Sequence, residues 1–233
     1  MNGWVVLMVF LPLVLVGLIP ILSAAAMSKI SGQPLEGPVG ARLELLFRDL
    51  HMRPIETVLW HTEEADKRTT IFLTGGRSRR LVLSDGLVEQ LSPDAIASLA
   101  AHELAHWKLG HLRLRSLLPI GLLGVVLPIT ALGLIPEGSV GGKAFTTGLF
   151  LLVYLFLQLK GVRGSLDRQA DRFVLAHGFP AEEYAEALAE LGKASRMRAS
   201  SKALSPSEDK PAPLPRSYAV RIQHIRKAGS ISL

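Results

Sequence analysis

His102 and His106 bracket the pentapeptide His-Glu-Leu-Ala-His, the stretch of this chain whose residue types and spacing say most about chemistry. On an α-helix, positions four apart lie only about 40° from one another around the axis. The two imidazoles therefore face one point from successive turns. Glu103 follows the first histidine, where its carboxylate can reach a water held at that point. Two imidazoles and a carboxylate base in this arrangement make part of a zinc site, and the reaction such a site supports is metal-assisted hydrolysis, usually of a peptide bond.

Five residues alone do not decide the matter, since a histidine on a helix is more often a surface or core residue. The surroundings add weight. Ser92 is suited to the N-cap and Pro93 to the first helical position. The run from Asp94 to Lys108 contains no proline or glycine and carries apolar residues at Ile96, Leu99, Ala100 and Leu104. The spacing predicts a buried helix with the motif inside it.

Further elements are expected around this helix. Residues 28–40 are rich in Gly, Pro and Ser and read as a linker, and Val39 to Leu50 reads as an amphipathic helix. Glu56 to Thr62 and Thr69 to Thr74 have the β-branched and aromatic composition of strands. Gly75-Gly76-Arg77-Ser78 reads as a hairpin turn, with Arg80 to Ser84 the returning strand. An exposed edge of such a sheet could hold an extended peptide through main-chain hydrogen bonds. Gly86 to Gln90 is a short helix. Ser165 to His177 is a longer one closed by Gly178 and Pro180. Ala181 to Met197 and Tyr218 to Lys227 are two more, with residues 198–216 a mobile segment between them.

The 233 residues are 48% hydrophobic, carry a net charge of +6 and include no cysteine. Thiolate ligands, disulfides and cysteine nucleophiles are thereby excluded, and a metal must be held by His, Asp or Glu. Three apolar runs, 3–27, 116–136 and 144–159, suggest about three transmembrane helices, given a hydrocarbon core of about 30 Å. Lysine and arginine are partitioned as twelve in residues 28–115, one (Lys143) between the second and third runs, and thirteen in residues 160–233. By the positive-inside rule both basic segments face the cytosol. Topology and contact with an anionic lipid bilayer then account for the charge, and nucleic acid is not needed as a partner. A rival reading makes the first run a removable signal peptide ending near Ser23-Ala24-Ala25-Ala26. Against it, no Lys or Arg precedes the run.

The expected organisation is a transmembrane helix at 3–27, a cytosolic part with the strands and motif helix at 28–115, a transmembrane hairpin at 116–159, and a cytosolic helical part at 160–233. The fold class expected is an α+β membrane protein: a mainly α-helical zincin-like domain with a small β-hairpin or sheet and about three membrane-spanning helices. It would be a multi-pass protein of the cell (inner) membrane with its site facing the cytosol.

A zinc site needs a third protein ligand. His111 comes five residues after His106, about 140° away on a continuing helix. It is therefore read as structural or interfacial, with outer contact to the site possible. Glu182, Glu183 and Glu186 are rival carboxylates that read as a solvated face. Beyond the hairpin stands Ser165-Leu-Asp-Arg-Gln-Ala-Asp171. Here the chain resembles the HtpX-type membrane zinc metallopeptidases, which include the CAAX prenyl endopeptidases (peptidase family M48, gluzincin-like). The resemblance runs through roughly residues 40–227. It takes in the Thr-Gly-Gly turn with Arg80-Leu-Val-Leu-Ser-Asp-Gly-Leu87, the segment His102-Glu-Leu-Ala-His-Trp-Lys-Leu-Gly-His111, the Ala-Asp pair at 170–171, and Arg221-Ile222.

The resemblance implies one Zn²⁺ per chain held by His102, His106 and the position of Asp167, with Asp171 supporting a ligand histidine from outside the coordination sphere. It implies Glu103 as the base and Arg221 as the candidate oxyanion donor. The family has Glu where this chain has Asp167, a side chain shorter by about 1.5 Å. The family's His-Pro upstream of the arginine is not reproduced, since the region reads Leu214-Pro215-Arg216. The expected function is a membrane-bound zinc metalloendopeptidase cleaving membrane or cytosolic proteins, in quality control or processing. Two alternatives stay open: an inactive scaffold or peptide-binding pseudoprotease, and a signalling protease that cleaves a cytosolic regulator. Oligomeric state is not legible.

Overall fold

The computed structural model describes residues 32–61, 69–74, 79–111, 113–114, 162–202 and 215–231. Its elements in chain order are β1 (Gln33–Pro34), α1 (Gly37–Asp49), β2 (Glu56–Trp60), β3 (Ile71–Leu73), β4 (Arg80–Ser84), α2 (Asp85–Gln90), α3 (Pro93–Lys108), α4 (Val162–Ala176), α5 (Ala181–Lys202) and α6 (Arg216–Ile231). The four strands form one sheet in the order β1-β2-β4-β3. β2 and β4 run parallel, and β1 and β3 pair antiparallel at the two sides.

The sheet follows from its residues. β4 is inside it and has four of its five residues buried, so Leu81, Val82 and Leu83 cover both faces as a central strand requires. The β2–β4 register sets Glu56 opposite Arg80, and the two side chains close an ion pair at 2.7 Å. β1 lies within the residues read as a linker. It is short and ends on Pro34, which a sheet tolerates only at its edge. β3 is the other edge strand and packs against α3.

α3 is the hub, with α1, α4, α5 and β3 all packed on it. Its N-terminus forms as its sequence predicts: the Ser92 hydroxyl accepts from the Ala95 N–H at 3.2 Å, and Pro93 opens the helix. Ile96, Leu99 and Leu104 join Leu43, Leu46 and Phe47 of α1, Leu81 and Leu83 of β4, and Leu188 of α5 in one apolar core. Each such side chain contributes on the order of 1.5–3 kcal/mol when fully buried. α1 is pinned at both ends of α3, through Arg42 to Asp94 at 2.6 Å and through the Lys108 ammonium, which donates to the Leu50 carbonyl at 2.9 Å.

The end of α1 shows a local conflict. His51 has φ 50°, its N–H donates to the Arg48 carbonyl, and the Met52 N–H donates to the Phe47 carbonyl. That is the Schellman arrangement, in which the left-handed residue is ordinarily glycine. An L-residue there costs about 1–2 kcal/mol, and glycine's greater unfolded-state freedom returns about half of that. His51→Gly is therefore expected to stabilise the fold by about 0.5–1 kcal/mol, read as a raised thermal midpoint. An unchanged or lowered midpoint would contradict the assignment of strain.

The membrane part of the expected fold class is corrected. Among the described residues no helix is long and apolar enough to cross a membrane. The longest, α5, has 22 residues but carries Glu182, Glu183, Glu186, Glu190 and Lys193, charges that suit water and not hydrocarbon. What the structure holds is a mostly helical domain with a small sheet. The apolar runs at 3–27, 116–136 and 144–159, the segment at 23–26 and the turn at 75–78 lie outside the described residues. Helix ends shift too: α5 continues to Lys202 and α6 spans Arg216–Ile231, beyond the limits expected for each.

Candidate functional site

The pentapeptide occupies the last turns of α3, where the helix passes from the core toward α4. His102 is 6% exposed, and its Nε2 lies 3.2 Å from Nε2 of His106. From α4, Asp167 brings Oδ1 to 3.4 Å from the same His106 nitrogen. The ligand atoms of His102, His106 and Asp167 all fall within 4.8 Å of one another, the one such group of three among the described residues. Two imidazole nitrogens and a carboxylate oxygen on rigid helices, with the rest of the sphere left to water, fit the three-ligand pattern of a hydrolytic zinc site. The shorter aspartate thus reaches the cluster because α4 packs directly on α3.

Burial by itself would raise the Asp167 carboxyl. The hydrogen bond from His106 and the charge of Arg221 outweigh it and hold the group below its ordinary value. The residue is then ionised at neutral pH, as a ligand must be. Glu103 is half-buried, one position along α3 from His102, and makes no hydrogen bond or ion pair with another described residue.

Behind His102 sits a denser polar network. Asp171, 5% exposed, is one turn along α4 from Asp167, and its Oδ1 is 3.0 Å from His102 Nδ1. Accepting from that Nδ1–H leaves the Nε2 lone pair of His102 free to face the cluster. The hydroxyl of Tyr184 donates to Asp171 Oδ1 at 2.7 Å and lies 2.9 Å from His102 Nδ1. Arg221 of α6 donates from Nε to Oδ2 at 3.1 Å and from Nη2 to Oδ1 at 2.6 Å, a two-pronged grip on the carboxylate. Burial opposes ionisation of Asp171. The hydrogen bonds from His102 and Arg221 and the guanidinium charge reverse that and hold the carboxyl far below the usual range. Burial and the neighbouring Asp171 charge push the Tyr184 phenol well up, so it stays protonated and donates.

The structure brings His102, His106 and Asp167 together, and Asp171 stands against His102. Arg221 is oriented chiefly by Asp171, while its Nη2 also lies 3.2 Å from each ring nitrogen of His102. Glu183 and Glu186 are exposed. Glu182 is taken up by a surface ion pair with Arg226. His111 departs from the continuing helix on which the 140° estimate rests. Gly110 adopts φ 73° after the helix, a conformation that favours glycine. The turn returns His111 Nδ1 to 2.9 Å from His106 Nδ1, and its Nε2 to 3.1 Å from Gln169 Oε1. Burial pushes the His111 imidazole down.

Two participants escaped the sequence reading. Tyr184 is fully buried on the face of α5 that also presents Ala185 and Leu188. A tyrosine on an otherwise apolar face needs a partner for its hydroxyl, and that was the available signal. Gln169 gave none, being one polar residue among several on α4.

The family model of peptidase family M48 matches residues 57–227. A curated relative, the CAAX prenyl protease 1 homolog of Oryza sativa subsp. japonica, is 32% identical over 103 residues, covering 43% of this chain and 24% of its own length. Among solved structures, Ste24p of S. mikatae matches with a TM-score of 0.52 at 19% identity, over 93% of this chain and 58% of that one, which shows a shared fold. The matches thus span about a quarter of the curated relative and somewhat over half of the solved one.

Proposed function

Because the chain belongs to peptidase family M48, we propose that it is a zinc-dependent metalloendopeptidase acting on protein or peptide substrates, in quality control or precursor processing. The observation that carries this reading is the convergence of His102, His106 and Asp167 within 4.8 Å, with Glu103, which has no partner among the described residues, next to the first histidine.

In this reading His102 and His106 would hold one zinc ion through their Nε2 atoms, and Asp167 through a carboxylate oxygen. Bound zinc supplies Lewis-acid polarisation of a carbonyl and lowers the pKa of water toward about 7. The chain's own residues do the rest. Glu103 takes a proton from the attacking water on its carboxylate and passes it to the leaving amine. Asp171, held by Tyr184 and Arg221, fixes His102 as its Nδ1–H tautomer. The Arg221 Nη2 group, 3.2 Å from His102 Nε2, is the cation that would face a developing oxyanion in this reading. β3, the edge strand beside α3, is the surface on which an extended peptide can add main-chain hydrogen bonds.

The test is metal content. Purified wild type should carry one zinc per chain and cleave casein, and Asp167→Ala should lose both the stoichiometric zinc and the cleavage. Wild type without zinc would sink the enzyme reading. Full zinc in Asp167→Ala would remove Asp167 from the ligand set.

A further inference from the structure

His111 and Gln169 have no part in the chemistry above, yet they stand in line with a ligand. His106 turns Nε2 to the Asp167 cluster and Nδ1 to His111, at 2.9 Å. The far nitrogen of His111, Nε2, meets the side-chain oxygen of Gln169 at 3.1 Å. His111 is buried, at 3% exposure, and Gln169 is the exposed end of the row.

Two imidazoles that meet nitrogen to nitrogen share a single proton, and its position is set by what lies beyond. With an acceptor at residue 169, His111 carries its proton on Nε2 and donates outward. Its Nδ1 is then bare and accepts from His106 Nδ1–H, which leaves the His106 Nε2 lone pair free for a metal. With a donor at residue 169 every proton in the row reverses, and His106 carries hydrogen on Nε2, where no metal can bind. We propose that His111 and Gln169 form a relay that positions the proton of His106, so that the acceptor oxygen of Gln169 selects the metal-binding tautomer from two residues away. The inference rests on the zinc reading. His102 has a carboxylate in the equivalent place, Asp171, so the two ligand histidines are fixed by different means: a buried charge for one, a neutral imidazole-amide row for the other.

The test varies the polarity of residue 169, an exposed position where substitution leaves packing intact. Zinc affinity, measured by chelator competition at neutral pH, should stay within about threefold of wild type in Gln169→Glu, which can only accept. It should fall about 10- to 100-fold in Gln169→Lys, which can only donate. The direct effect of the added charges is separated in a His111→Asn background, where the amide oxygen replaces the ring Nδ1 as acceptor. There His106 keeps its partner, affinity should stay near wild type, and the Glu and Lys variants at 169 should differ by no more than a few fold. In the zinc-loaded wild type, ¹⁵N shifts should show His111 protonated on Nε2 and bare on Nδ1.

Equal affinities for Gln169→Glu and Gln169→Lys, an undiminished gap between them in His111→Asn, or His111 protonated on Nδ1 in the loaded protein would each overturn the relay while leaving the zinc site standing. Wild type that binds no zinc overturns both.

Discussion

Glu103→Gln should bind zinc as the wild type does and lose peptide hydrolysis by a factor of about 10²–10⁴, the range that a positioned general base contributes. The substitution keeps size and hydrogen-bonding capacity and removes only basicity. Glu103 has no structural partner among the described residues, so the fold has little to lose. The His102, His106 and Asp167 cluster does not include it. The variant therefore separates binding from chemistry: equal zinc stoichiometry and an unchanged melting curve beside a lost rate with casein. A variant that still cleaves at more than a tenth of the wild-type rate would take the base role away from Glu103. One that loses zinc as well would make it a ligand or a prop.

Arg221→Met should unfold the protein more readily by about 3–5 kcal/mol, the cost of leaving one member of a buried pair uncompensated. Its side chain and that of Asp171 are 18% and 7% exposed, and both prongs of the guanidinium end on that carboxylate. For a chain of this length such a loss lowers the melting midpoint by roughly 10 °C. The pH dependence gives an independent reading. Asp171 has its folded pKa depressed, so it contributes stability that is complete above the ordinary carboxylate value of about 3.9 and lost as pH falls below it. Arg221→Met removes much of the depression, so this share of stability is missing at neutral pH and the variant's deficit relative to the wild type should shrink as pH falls below about 3.9. Acid unfolding followed by circular dichroism measures both curves. A deficit that stays constant through that acid range would mean that Arg221 does not hold the Asp171 charge.

How far the site was legible depended on whether local spacing or packing carries each part. The i, i+4 histidines, the Ser92 cap and the Pro93 start are all local facts, and α3 forms as its sequence predicts. Asp167 and Asp171 were found through resemblance, because nothing local says that a helix some sixty residues further on returns to the first. The angle of about 140° for His111 holds only on a continuing helix; the left-handed conformation of Gly110 redirects the chain and makes the outer contact with His106 that the sequence left possible. Tyr184 and Gln169 act only through neighbours on other helices, and such pairings are written in the packing of α3, α4 and α5. β1 was missed because two residues ending in proline, tied to β2, look like a linker. The apolar runs read as membrane spans lie outside the described residues, and none of the described helices is long and apolar enough to cross a membrane.

The polar network behind His102 draws one residue each from α3, α4, α5 and α6, and Arg221 of the last helix closes it. During synthesis the two histidines emerge early, while the arginine that steadies their neighbourhood emerges late. The ligand atoms can be held in register only after all four helices have docked. In the proposed reading, capacity to cleave is thereby deferred until these four helices have docked, which keeps a half-made chain from being an active one.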